Sequence, residues 1–137
     1  MNIGVAGSMQ FTDRMIEVCE ELRKLGHEPF MSKFGGNYAG KSAEEIEALK
    51  LVDKNEHDAI REFWQPMQTA DALLVLNFDK HGIKNYIGGN AFLEMGFAHV
   101  LNQKIFLWNP APDMPYYGTE IVAMKPVVIN GDLNKIK

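Results

Sequence analysis

Residues 70–77 read "ADALLVLN": an alanine, an acid, an unbroken run of five apolar residues and an amide. A strand with one wet face alternates apolar and polar residues, whereas a strand covered on both faces stays apolar throughout. Ala72 to Leu76 therefore predict a central strand of a parallel sheet with helices packed above and below. The same kind of run recurs outward from it, as "KIFLWN" at 104–109, and in shorter form as "IGVA" at 3–6 and "PVVI" at 126–129. "EPFMS" at 28–32 makes a weaker strand, and Pro29, with no donor for a ladder, belongs at a sheet edge.

Helical spacing fills the gaps. Phe11, Met15, Val18, Leu22 and Leu25 lie on one face until Gly26 offers a left-handed stop. After the glycine-bearing loop "KFGGNYAGK" at 33–41, Ser42 with Glu45 three residues on forms a capping box. It opens a long polar helix through about Trp64 that Pro66 ends or kinks. A further helix runs from Asn90 to about Asn102, and a short piece lies near Glu120 to Met124. Strands alternating with helices across short links require right-handed crossovers. The expected architecture is one α/β domain over 1–137, a flavodoxin-like or Rossmann-like three-layer sandwich with a five-stranded parallel sheet in order 2-1-3-4-5.

Composition narrows the partners. The chain has 137 residues, 46% apolar and 23% charged, and a net charge of -4, so it reads as a soluble domain without the basic stripe that polymeric nucleic acid demands. Its one cysteine, Cys19, falls among apolar helix neighbours and reads as a core residue. His27, His57, His81 and His99 have no ligand spacing, so neither a metal nor a cofactor is expected. Met1 runs directly into "NIGVAG" without a basic leader, and no apolar stretch reaches the roughly 18 residues a bilayer span needs. A cytoplasmic protein without membrane contact is the expectation.

Open parallel sheets bind ligands beyond the carboxyl ends of their strands. After the first strand comes "GSMQ", where Gly7 lets a ligand near the backbone and Ser8, Met9 and Gln10 lead into a helix start. A tight turn with Ser8 as N-cap is an equally open reading. The stretch is neither a dinucleotide fingerprint nor a Walker A loop, and it lacks the hydroxyl-rich cradle of a flavin phosphate. Asn77 and Asp79 follow the central strand, although Asp79 beside Lys80 also reads as a solvated pair. The third place is "YIGGNAFLEMGFA" at 86–98, with Gly88 and Gly89 at a helix start, Asn90 as N-cap and a lone acid, Glu94, in an otherwise apolar helix. The alternative for Glu94 is a rim carboxylate stabilised by the helix dipole. Ser8 lies in no G-x-S-x-G elbow, and Glu94 and His99 are wrongly spaced for an H-E-x-x-H zinc site.

Together, "AGSMQ", "ADALLVLN" and "GGNAFLEMGFAHVLNQKIFL" with its Glu-x-Gly-x-Ala core resemble the nucleoside 2-deoxyribosyltransferase superfamily, over roughly residues 2–108. That superfamily includes 2'-deoxynucleoside 5'-monophosphate N-hydrolases. The resemblance implies that Glu94 is the nucleophile that attacks C1' of the sugar. Cleavage of an N-glycosidic bond passes through an oxocarbenium-like state, which a nearby carboxylate stabilises and can trap covalently. Six positions before the glutamate the family carries an acid or a phosphate-meeting serine; here that position is Gly88, and Asn90 and Asp79 are the candidates to act in its stead.

The implied function is cleavage or deoxyribosyl transfer on a nucleoside or nucleoside 5'-monophosphate, with a non-catalytic nucleotide-binding module as the alternative. The base, the need for a phosphate, and hydrolysis against transfer stay open. Family likeness also implies a homodimer or larger homo-oligomer, for which Phe63, Trp64 and Met67 are the candidate anchors.

Overall fold

The computed structural model describes residues 1–33, 37–56 and 58–137; residues 34–36 of the glycine-bearing loop and His57 lie outside them. Strands β1 (Asn2–Gly7), β2 (Glu28–Phe30), β3 (Ala72–Leu76), β4 (Lys104–Leu107) and β5 (Val127–Val128) form one sheet in the order β2-β1-β3-β4-β5. Every pairing is parallel, as the alternating pattern predicts. The helices are α1 (Thr12–Lys24), α2 (Ala43–Glu56), α3 (Ala59–Met67), α4 (Gly89–Val100) and α5 (Gly118–Ala123).

The central strand behaves as its composition requires. All five residues of β3 are buried, because successive side chains enter opposite cores. Ala72, Leu74 and Leu76 join Ile3, Val5, Met15, Val18, Cys19 and Leu22 on the α1 face. Leu73 and Val75 join Phe63, Met67, Met95, Ala98 and Ile121 under α3, α4 and α5. Each large aliphatic side chain so removed from water contributes about 2 kcal/mol, and this two-sided burial holds the strand ends in place. β2, with Pro29, is an edge strand. Cys19 is a core residue, and burial pushes its thiol pKa up.

The long polar helix expected over 42–64 is two helices. The capping box forms, with Ser42 Oγ accepting from the Glu45 amide at 3.2 Å and Glu45 Oε1 accepting from the Ser42 amide at 3.3 Å. The break comes before Pro66, at Asp58, whose backbone is left-handed (φ 49°) and whose carboxylate accepts from the Arg61 amide to start α3 afresh. Pro66 lies within the last turn of α3. The break lets α3 press Phe63 and Met67 into the sheet while α2 reaches over the carboxyl edge.

The same packing removes two of the expected association anchors. Phe63 and Met67 are buried in the core, while the half-buried Trp64 meets Phe97 edge-on at 5.0 Å. Among the described residues no helix is long and apolar enough to cross a membrane.

Candidate active site

Strands β1 and β3 end side by side, with Gly7 in register with Leu76. A Cβ on Gly7 would lie 2.9 Å from the Leu76 carbonyl oxygen, so a side chain there would force the two strand ends apart. The chain then turns into Ser8, which caps a short 3-10 turn (Met9–Phe11) by accepting from the Gln10 amide at 3.2 Å. The Nζ of Lys80, on the loop after β3, donates to the same hydroxyl oxygen at 2.6 Å. Ser8 is thus an N-cap and also faces a crevice: its oxygen accepts twice, which leaves the hydroxyl proton to donate to a ligand.

Helix α4 begins at Gly89 with Gly88 as its N-cap residue, two positions earlier than Asn90 as N-cap would set it. A Cβ at Gly88 would stand 3.1 Å from both Cε1 and the hydroxyl oxygen of Tyr86, so a side chain there would crowd the Tyr86 ring. Asn90, inside the first turn, makes no side-chain hydrogen bond with a described residue and lines the crevice.

The crevice has a volume of about 480 Å³. Gly7, Ser8 and Met9 form one wall and Gly88, Gly89, Asn90, Ala91, Phe92, Leu93 and Glu94 another. Tyr86 and the ammonium groups of Lys50, Lys54 and Lys80 complete it. Met9, Lys50, Lys54, Asn90 and Glu94 also border a smaller hollow of about 40 Å³ shared with Ser32, Tyr38, Asp53 and Phe63. There the Tyr38 phenol donates to the Asp53 carboxylate, both residues being buried, and burial with the neighbouring acid pushes the phenol pKa up.

Glu94 therefore borders both cavities. It is half-buried and receives no hydrogen bond or ion pair from any described residue, and burial pushes its carboxyl pKa up to about 8. The dipole of α4 favours the charged form only near the first turn, and Glu94 is the sixth residue of the helix, so desolvation wins. Such a carboxyl, paired with no described residue and lining a cavity, suits a reacting group. Lys80 is shifted the other way, its pKa lowered by burial and by the like charges of Lys50 and Lys54 against the opposing pull of Glu47. Among the described residues no three His, Cys, Asp or Glu side chains gather as a metal site would need.

Of the residues singled out from the sequence, Gly7, Ser8, Met9, Gly88, Gly89, Asn90 and Glu94 meet at the crevice. Gln10, Asn77 and Asp79 are not among its lining. Gln10 Nε2 reaches the Ala43 carbonyl at 3.3 Å and Glu47 at 3.2 Å, fastening α2 over the sheet edge. Asn77 is fully buried and gives its amide to the loop after β4. Asp79 accepts from the Asn85 amide at 2.9 Å and holds its own loop together. A polar residue after a strand can serve backbone groups as readily as a ligand, and here two do.

Lys50, Lys54, Lys80, Tyr86, Tyr38 and Asp53 escaped the reading. Three of these carried a signal: Lys50 and Lys54 are four apart and share a face of α2, and Asp53 follows the buried Ile46 by seven, on the inward face. Nothing in the loop 78–89 distinguished Lys80 from a surface charge.

No protein-family model matches the chain, and no curated protein matches it in sequence. Solved structures do. The 2-deoxyribosyltransferase of the psychrotolerant bacterium Bacillus psychrosaccharolyticus superposes with a TM-score of 0.52 at 16% identity, over 78% of this chain and 71% of that one. The Clostridium botulinum CMP N-glycosidase BcmB superposes with a TM-score of 0.50 at 14% identity, over 94% of this chain and 86% of that one. The chain shares their fold. Both likenesses agree with the resemblance read from the segments around Ser8 and Glu94, and at such identities they extend to architecture and not to individual side chains.

Proposed function

We propose that the chain breaks the N-glycosidic bond of a nucleoside or nucleotide, by hydrolysis or by deoxyribosyl transfer, with Glu94 as nucleophile. One observation carries this reading: the unpaired Glu94 carboxyl borders the same crevice as Ser8 and the glycine-flanked start of α4, at the carboxyl edge of the sheet. In the reaction a Glu94 oxygen bonds to C1' as the bond from C1' to the base nitrogen breaks, and the base departs with the electron pair and takes up a proton. Water then cleaves the glycosyl ester in hydrolysis, or a second base does so in transfer. Ser8 and Asn90 hold the sugar. Two folds of like architecture, a 2-deoxyribosyltransferase and a CMP N-glycosidase, support the assignment of the chemistry.

A binding module that holds a nucleotide without cleaving it is favoured by a single point, that a carboxyl with a pKa of about 8 is mostly neutral at pH 7 and so a poor nucleophile there. The experiment that separates the two is incubation with deoxynucleosides and their 5'-monophosphates while free base is followed by chromatography. Base release that falls by about a thousandfold or more in Glu94→Gln, with ligand binding kept, supports the nucleophile. Absence of base release from every substrate at pH 7 to 9 rejects it.

A further inference from the structure

We propose that the crevice selects a phosphorylated ligand, a nucleoside 5'-monophosphate over the free nucleoside, and that Lys54, Lys80, Lys50 and the Ser8 hydroxyl hold its phosphate. The inference rests on the reading of the Glu94 crevice as a glycosyl site, and it adds the substrate class.

The chain is acidic, with a net charge of -4, yet three of its lysines line one crevice. They are near enough that the charges of Lys50 and Lys54 act on Lys80, which burial already disfavours as a cation. Gathering like charges in a half-dry cleft costs stability in the empty protein, and a bound anion reverses that cost.

The local ion pairs do not neutralise the group. Lys50 is held by Glu47 at 3.2 Å, and the same Glu47 oxygen also accepts from Gln10. Lys80 donates to the neutral Ser8 oxygen and lies 5.7 Å from the Tyr86 ring centroid, with the Glu47 charge offsetting part of the repulsion from its neighbours, and the Ser8 contact orients its ammonium beside a hydroxyl whose proton is free to donate. Lys54 has no partner among the described residues. A phosphomonoester, with a charge of about -1.5 to -2 and three acceptor oxygens, matches this set of donors.

Backbone geometry adds to it. The first amides of the twelve-residue α4 open onto the crevice behind Gly88 and Gly89, and the space around Gly89 is open enough for an anion to approach. Glu94 shares the crevice, and a carboxylate in contact with a phosphate would repel it. The ribose ring resolves this, because it sets C1' and the 5'-phosphate at opposite ends of one ligand, the first for Glu94 and the second for Ser8 and Lys80, while Lys50 and Lys54, which also border the smaller hollow beside Glu94, add their charge from α2.

The test uses Glu94→Gln, which cannot turn substrate over, titrated calorimetrically with 2'-deoxynucleosides and their matched 5'-monophosphates at low and high salt. The monophosphates are expected to bind at least about tenfold more tightly than the nucleosides, with an advantage that shrinks as salt is raised. Adding Lys54→Ala or Lys80→Ala is expected to bring the ratio towards one. Lys54 is exposed and unpaired, so its removal leaves the fold intact, which the melting curve checks. Equal affinity for both ligand classes, no binding of either, or a preference that survives in the folded Lys54→Ala/Lys80→Ala double variant overturns the proposal. Phosphate preference without base release by the unmodified protein upholds the phosphate site and rejects the nucleophile; base release without phosphate preference does the reverse.

Discussion

Asn77 and Asn109 hold one another through both side chains and both backbones. Asn77 Oδ1 accepts from the Asn109 amide at 2.9 Å, Asn77 Nδ2 donates to the Asn109 carbonyl at 2.9 Å, and Asn109 Nδ2 donates to the Asn77 carbonyl at 3.0 Å. A fourth bond runs from Asn77 Nδ2 to the Pro110 carbonyl at 3.2 Å. The clasp ties the ends of β3 and β4, on whose edge the crevice stands. Asn77→Ala would leave part-buried backbone groups of Asn109 and Pro110 without their partner and is expected to cost about 1–3 kcal/mol, read as a lowered urea midpoint with an unchanged slope. A loss below about 0.5 kcal/mol would refute the structural role.

Glu94 makes the protein less stable at neutral and alkaline pH than a neutral side chain would. Its folded pKa, about 8, lies above the ordinary 4.5, so the native state binds the proton more tightly than the unfolded chain does. The contribution is therefore full below about pH 4.5 and is lost as pH rises to about 8. Glu94→Gln is expected to raise stability by about 2 kcal/mol at pH 8.5 and by little at pH 4.5, measured by denaturant melts at both values. An equal effect at the two pH values would show that the carboxyl is not desolvated.

The same shift sets the direction of the activity profile. Acting as the proposed nucleophile, Glu94 must be charged, so kcat/KM for base release is expected to climb about tenfold per pH unit below about 8 and level off above it. An initial-rate series from pH 5.5 to 9.5 gives the apparent pKa. A profile already flat at pH 6 would mean that Glu94 is ionised in the free protein.

Gly88 and Tyr86 compete for one volume. Gly88→Ser would bring its Cβ to 3.1 Å from the Tyr86 ring, which must then shift at the crevice wall. Base release is expected to fall by about tenfold or more through misplacement of the ligand. Gly88→Ser combined with Tyr86→Ala, which frees the space, should recover more activity than Gly88→Ser alone; strict additivity of the two losses in a double-mutant cycle would argue against the steric link.

The strand pattern was legible because burial on both faces writes itself into composition: "ALLVL" has no polar position, and it is the central strand. Pro29 likewise announced an edge, since the missing donor is a local property. Glu94 stood out for a related reason, as one acid in a helix otherwise apolar around its first turns. These are features of single elements, and hydrophobic periodicity reports on single elements.

What lies between elements was not legible in that way. The division of the 42–64 segment depends on Asp58 adopting a left-handed backbone, a conformation that Asp tolerates but does not announce. That break carries Lys50 and Lys54 over the sheet edge to meet Lys80, from a different loop, and the three become a site only when the folded chain sets them around one cavity. Asn77 and Asp79 went the other way: both stand where a ligand contact belongs, and both satisfy nearby backbone groups instead. Composition and periodicity record which residues leave water; which polar group meets which partner is decided by distances across the sheet that no local pattern encodes.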